Sequence, residues 1–146
     1  MAIGQICARH VDHASIEETV QVAAQRMHNR KVGTLMVLNS ERVPIGIITD
    51  RDLTVRVLAE GRDPFTTTVG DVMTPAPKTV HEEATLEEAL TVMRSGPFRR
   101  IGVVDSAGKL VGLLSLDDIL DTYRREFNEI GELLERESPT SLKDEL

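Results

Sequence analysis

Apolar residues recur at Val20, Ala23, Ala24 and Met27, and again at Leu86, Ala89, Leu90 and Met93, a spacing that lines one face of a helix. Two short apolar runs follow each set: "TLMVLN" and "VPIGIIT" around a "SER" turn, then "IGVVD" and "KLVGLLS" around "SAG". Each pair reads as two strands of a hairpin. Each second strand leads straight into a polar junction, Thr49-x-x-Asp52 or Ser115-x-x-Asp118, and then a further helix.

The pattern is an internal repeat. "GIITDRDL" (46–53) returns as "GLLSLDDI" (112–119) at an offset of 66 (112 − 46), which also pairs "IGQIC" with "VGDVM", Thr19 with Thr85 and Val37 with Val103 without a gap. A repeat of this kind places two units around a shared core, since neither buries its apolar face alone. Each unit reads as αβαββα, so the expected class is mixed α/β (α+β), with repeat one at 1–61, a linker at 62–68 and repeat two at 69–125. "ASIEE" (14–18) echoes "ATLEE" (84–88) at an offset of 70 (84 − 14), which leaves open a first helix beginning one turn early. Apolar residues at 119, 120, 123, 127, 130 and 134 continue as an amphipathic helix, extending the chain over 126–137. It either meets a partner or packs back on its own chain. The tail at 138–146 has little apolar content and reads as disordered.

Charge narrows the function. Of the 146 residues, 17 are Lys or Arg and 24 are Asp or Glu, and the net −7 argues against a nucleic-acid or anionic-membrane surface. The single cysteine, Cys7, excludes an internal disulfide framework. No apolar run approaches the roughly 18 residues of a membrane span, and no charged-then-apolar leader opens the chain, so a cytoplasmic protein is expected. The final "KDEL" (143–146) is a retention address only on secreted chains and reads as coincidence.

The two junctions carry the candidate chemistry. In one reading Thr49 with Asp52, and Ser115 with Asp118, are helix caps. In the other, the helix N-terminus and its hydroxyl receive a phosphate while Asp52 or Asp118 accepts the vicinal hydroxyls of a ribose. "HVDH" (10–13) suggests a metal, but in an extended segment His10 and His13 point to opposite faces, and no metal site is expected. Met27 and Met93 read as core. No nucleophile with its base or paired carboxylates stands out, so no catalytic residue is assigned.

The doubled phrase h-h-G-h-h-[TS]-x-x-D, with "A-x-x-x-M" (23–27 and 89–93) and "RRIGVVD" (99–105), resembles a tandem pair of cystathionine-β-synthase (CBS) domains over roughly residues 3–125. The resemblance implies two repeats packed by pseudo-two-fold symmetry, with clefts for an adenosine-containing ligand such as AMP, ADP, ATP or a related adenosyl compound. It places Thr49 and Ser115 on phosphate or ribose, Asp52 and Asp118 on ribose hydroxyls, and adenine near Val11 and Val80. Arg99 and Arg100 would serve phosphates in the second cleft, with Arg51 in the first, so the clefts are expected to differ. Met36 and Gly102 depart from the family, which often has proline there. The implied role is an energy or metabolite sensor that regulates an unidentified effector protein. The rival is an interaction scaffold with vestigial clefts. A homodimer is expected, joined through the helices bearing Val20, Ala23, Ala24, Met27, Leu86, Ala89, Leu90 and Met93.

Overall fold

The structure, a computed structural model, describes residues 1–96 and 98–137. The first repeat contributes β1 (His13–Ala14), α1 (Val20–Arg30), β2 (Thr34–Leu38), β3 (Pro44–Thr49) and α2 (Asp50–Asp52), which runs on as a π-helical turn over Leu53–Leu58. The second contributes α3 (Val69–Val72), β4 (Thr74–Pro75), β5 (Thr79–His81), α4 (Leu86–Arg94), β6 (Arg100–Val104), β7 (Leu110–Ser115) and α5 (Leu116–Glu137). A 3-10 turn at Ile3–Gln5 takes the place of α3 in the first unit.

Capping sets the helix starts. The Thr19 hydroxyl accepts from the Val22 amide to open α1, and the Thr85 hydroxyl accepts from the Glu88 amide to open α4. The caps are 66 residues apart (85 − 19), so the ungapped offset holds and α1 does not begin a turn earlier at "ASIEE". A free threonine hydroxyl at the cap outweighs the local likeness to "ATLEE", because it satisfies an otherwise unpaired helical amide.

The sheets repeat the same register. Val37 pairs with Gly46 and Val103 with Gly112, each next to a bulge at the following residue. β1 runs parallel to β2, and β5 parallel to β6. Each outer edge is then covered by the other repeat: Thr74 pairs with Ile47, and Ala8 with Leu113. The exchange is reciprocal. The Ile3 amide donates to the Ala84 carbonyl at 2.9 Å, and its counterpart Val69 donates to Glu18 at 2.7 Å. These paired bonds tie the two units into one body about a pseudo-two-fold axis, and the cross-repeat pairings cover the middle of the outer edge of β3 and of β7.

Alternation divides the core into three. Leu35, Val37 and Ile48 face α1 with Val20, Ala23 and Met27. Ile101, Val103 and Leu114 face Ala89 and Met93 of α4. The opposite strand faces meet between the repeats through Met36, Leu38 and Leu110, flanked by Val11, Ile47 and Leu113. Val20, Ala23, Met27, Ala89 and Met93 are therefore buried within their own units, so of the residues expected to face a partner only Ala24, Leu86 and Leu90 keep exposed surface. The linker is fastened, since the Val20 amide donates to Thr67 and Gln21 to Pro64.

Repeat two ends without a break, because α5 is continuous across residue 125. Ile119 is the buried residue of this helix, whereas Leu120, Tyr123, Phe127 and Ile130 are exposed. The helix thus packs on its own chain only at its start, through Ile119 in the core and Tyr123 beside Leu86 and Leu90, and leaves Leu120, Phe127 and Ile130 uncovered. The expected tail at 138–146, with its "KDEL", lies outside the described residues.

Candidate functional site

Both polar junctions are complete capping boxes. Thr49 Oγ1 accepts from the Asp52 amide at 3.1 Å while Asp52 Oδ2 accepts from the Thr49 amide at 2.9 Å. Ser115 and Asp118 repeat these bonds at 3.1 and 2.9 Å. In each box the cap engages one carboxylate oxygen and leaves the other able to accept. Their surroundings differ. Asp52 Oδ1 lies 3.7 Å from Arg56 Nη2. At the matching position in repeat two is Thr122, whose hydroxyl donates to the Asp118 carbonyl at 2.9 Å.

The ladder sets each junction beside a residue that lines a cleft, although Thr49, Asp52, Ser115 and Asp118 are not themselves in the lining of either cavity. Thr34 is directly opposite Thr49, and Arg100 opposite Ser115, so the members of each pair leave the sheet on the same face. Thr34 lines a cavity of about 250 Å³ together with His10, Val11, Asp12, Gly33 and, from the other repeat, Arg100. The Asp50 amide donates to the Gly33 carbonyl at 2.9 Å, and the Asp50 carboxylate stands over Gly33. This first cleft is therefore bordered by Asp12, Asp50 and Lys31, none of which the sequence reading assigned to it.

The second cleft, about 140 Å³, is its counterpart: Ala76, Pro77, Lys78, Phe98 and Arg100, with Met36 and Ile47 from the first repeat. Lys78 takes the place of Asp12, and Leu116 that of Asp50, so the second cleft lacks both acids of the first, where Lys31 and Arg100 stand opposite them. Arg100 lines both cavities. Arg99 is exposed and outside the lining of either cavity, and its carbonyl accepts from the Leu116 amide at 2.9 Å. Arg51 is exposed on α2, outside the lining of either cavity.

Val11 is half-buried at the first cleft, but Val80 is not its equivalent. Val80 packs in the core of repeat two, and the residue 66 positions after Val11 is Pro77, which does line the second cleft. The offset applied to Val11 would have found it. His10 and His13 also depart from expectation: the regular strand is only His13–Ala14, and both rings line one outer cavity. Among the described residues no group of three or more His, Cys, Asp or Glu is arranged for a metal ion. No helix among them is long and apolar enough to cross a membrane.

The CBS domain model matches residues 3–59 and 69–125. Hypoxic response protein 1 of Mycobacterium tuberculosis is 35% identical over 102 residues, 70% of this chain and 71% of that protein. An uncharacterised protein of Methanopyrus kandleri is 34% identical over 120 residues, 82% of this chain but 61% of its own length. Among solved structures, Hypoxic Response Protein I with two coordinated zinc ions superposes with a TM-score of 0.75 at 30% identity, covering 83% of this chain and 98% of that one. The CBS-pair protein CBSX2 of Arabidopsis thaliana gives 0.76 at 26% identity, covering 87% and 96%. CBSX2 in complex with AMP gives 0.73 at 25%, covering 85% and 96%. The reciprocal registers, the doubled junctions and these matches have one common explanation: the chain belongs to the CBS-domain family, as two CBS domains in tandem.

Proposed function

We propose that the chain is a non-catalytic regulatory module that takes an adenosine-containing ligand in the clefts between its repeats. The observation that carries this reading is the doubled capping box, in which Asp52 and Asp118 each retain a carboxylate oxygen beyond the cap. A carboxylate that accepts without donating suits a pair of ribose hydroxyls. The complex of CBSX2 with AMP supports the ligand class. Thr49 and Ser115 would meet phosphate or ribose, Val11 and Pro77 the base, and Arg100 the phosphate of either cleft. The module acts in the cytoplasm as a homodimer and reports ligand occupancy to an effector protein.

Thermal denaturation with adenosine, AMP, ADP, ATP, NAD and S-adenosylmethionine tests this. A ligand at a hundredfold its dissociation constant adds about 2.7 kcal/mol to stability. The expected result is a rise in Tm with at least one adenosyl compound, abolished when Asp52→Asn and Asp118→Asn are combined. Absence of any shift across the series would favour the scaffold reading.

A further inference from the structure

We infer that the first repeat carries a second binding site, beside the first inter-repeat cleft and sharing His10, Val11 and Asp12 with its wall, for a small hydroxyl-bearing phosphate monoester. A cavity of about 590 Å³ opens between α1, the edge strand β1 and the β2–β3 hairpin, with Arg26, Arg30, Arg42, Asp12 and Glu18 among its lining. Three guanidiniums against two carboxylates make this a cationic pocket on a chain of net charge −7.

Four of these charges are already arranged. Arg26 Nη1 meets Glu18 Oε2 at 2.6 Å and also donates to the His13 carbonyl at 2.8 Å. Arg30 Nε donates to Asp12 Oδ1 at 2.8 Å, and its Nη2 lies 2.6 Å from His10 Nε2. A guanidinium only donates, so His10 Nε2 is the acceptor in that pair. Asp12 Oδ2 is left for a ligand hydroxyl. Arg42 is the lining cation whose side chain has no hydrogen bond or ion pair among the described residues, and its planar fork matches phosphate oxygens.

The second repeat serves as an internal control. At the offset of 66, Arg26, Arg30 and Arg42 become Val92, Gly96 and Gly108, and Glu18 becomes Ala84, so the fold does not require these charges. Arg42 is the most telling of them. Gly108 closes its hairpin at φ 78°, and Arg42 holds φ 65° in the same turn, a left-handed conformation that costs an L residue free energy and a glycine almost none. A hydrogen bond from the Leu110 amide to the Arg42 carbonyl, 3.0 Å, fixes that turn against repeat two. Strain retained where glycine would serve points to the side chain.

The inference rests on Arg26, Arg30 and Arg42, which line the outer cavity and not the first cleft, so it stands apart from the adenosine reading although the two cavities share Asp12. Calorimetric titration of the full chain with ribose 5-phosphate, glycerol 3-phosphate and unphosphorylated ribose tests it. Binding of at least one phosphate ester, and not of ribose, is expected. Arg42→Gly should weaken that binding about tenfold or more while Tm holds or rises, because the variant adopts the turn of repeat two. Combined Asp52→Asn and Asp118→Asn should leave it unchanged. No binding of either ester by the wild-type chain, unchanged affinity in Arg42→Gly, or loss in the Asp52/Asp118 double variant would each overturn the assignment.

Discussion

Met36 Cε lies 3.2 Å from the point that a Cβ on Gly102 would occupy, although the two residues hold equivalent places in the repeats. Near a pseudo-two-fold axis such positions approach each other, so two long side chains would collide and two glycines would leave a void. This chain has one of each, and Met36 is 1% exposed. The same asymmetry shapes the two inter-repeat clefts, since Met36 and Gly102 both form part of the wall of the second, at about 140 Å³ against 250 Å³ for the first.

Met36→Ala should therefore destabilise the chain by about 2–5 kcal/mol through the cavity it leaves. Gly102→Met alone should overpack the interface and cost about 1–3 kcal/mol. The exchange Met36→Gly with Gly102→Met restores the complement from the other side. Urea denaturation should show it to be less destabilised than the sum of its single changes, and strict additivity would mean that the two residues do not share this space.

Gly46 and Gly112, the glycines of the doubled motif, are explained by sulfur atoms from the opposite repeat. A Cβ on Gly112 would lie 2.5 Å from Cys7 Sγ, and one on Gly46 would collide with Met73 Sδ. Gly112→Ala should cost about 1–3 kcal/mol by overpacking. Adding Cys7→Ala should recover part of that loss. Equal stability of the double variant and Gly112→Ala would place the strain elsewhere.

These contacts show where sequence reading stopped. The 66-residue offset was legible because Thr19 and Thr85, and Thr49 and Ser115, repeat both chemistry and spacing. Periodicity does not encode which edge a short segment joins, so the pairing of Ala8 with Leu113 was invisible. The cleft walls are assembled across repeats for the same reason. Arg100 borders both clefts although its sequence neighbours belong to one, while Val80, which the resemblance placed near adenine, packs in the core. The outer cavity did leave a sequence signal: Arg26, Arg30 and Arg42 have no basic counterpart in repeat two.

The acids found only at the first cleft predict a division of ligands. Asp12 and Asp50 there offset Lys31 and Arg100 and oppose additional phosphates, whereas Lys78 and Arg100 at the second meet no acid in the lining. Lys78→Asp should weaken ATP more than adenosine at the second cleft, and Arg100→Ala should weaken phosphorylated ligands at both. Arg99→Ala should have little effect. NMR titrations that follow Thr34 and Gly102 separately would distinguish the sites; equal ATP losses with Arg99→Ala and Arg100→Ala would refute the assignment.

Acid should weaken the start of repeat two. Hydrogen bonds from Thr68, chiefly its backbone amide at 3.0 Å, hold the Asp71 carboxyl below its ordinary range. A carboxyl depressed in the folded state contributes stability above its unfolded pKa and loses that contribution as pH falls through the folded value. Wild type should thus be more stable than Asp71→Ala at neutral pH. Denaturation measured across pH should show the gap closing below about pH 4. A gap that persists into stronger acid would assign the effect to packing.

The uncovered side of the molecule predicts self-association. An apolar groove of about 390 Å³ runs beside α1 past Val20, Ala24 and Val57, and one of about 550 Å³ beside α4 past Leu86, Leu90 and Tyr123, residues related by the repeat offset. Exposed Val22, Leu58 and Phe65 extend the first surface, and Phe127 and Ile130 of α5 extend the second. A two-fold pairing would cover both surfaces at once, and closed two-fold dimers are the commonest assemblies. Light scattering should then give about 32 kDa, twice the 16.1 kDa chain. A chain ending at Arg125 loses the exposed apolar end of α5 but keeps both grooves. It should still pair, with a dissociation constant raised about tenfold or more by the lost apolar burial. A monomer at all concentrations of the full chain would refute the dimer, and unchanged affinity after truncation would remove α5 from the interface.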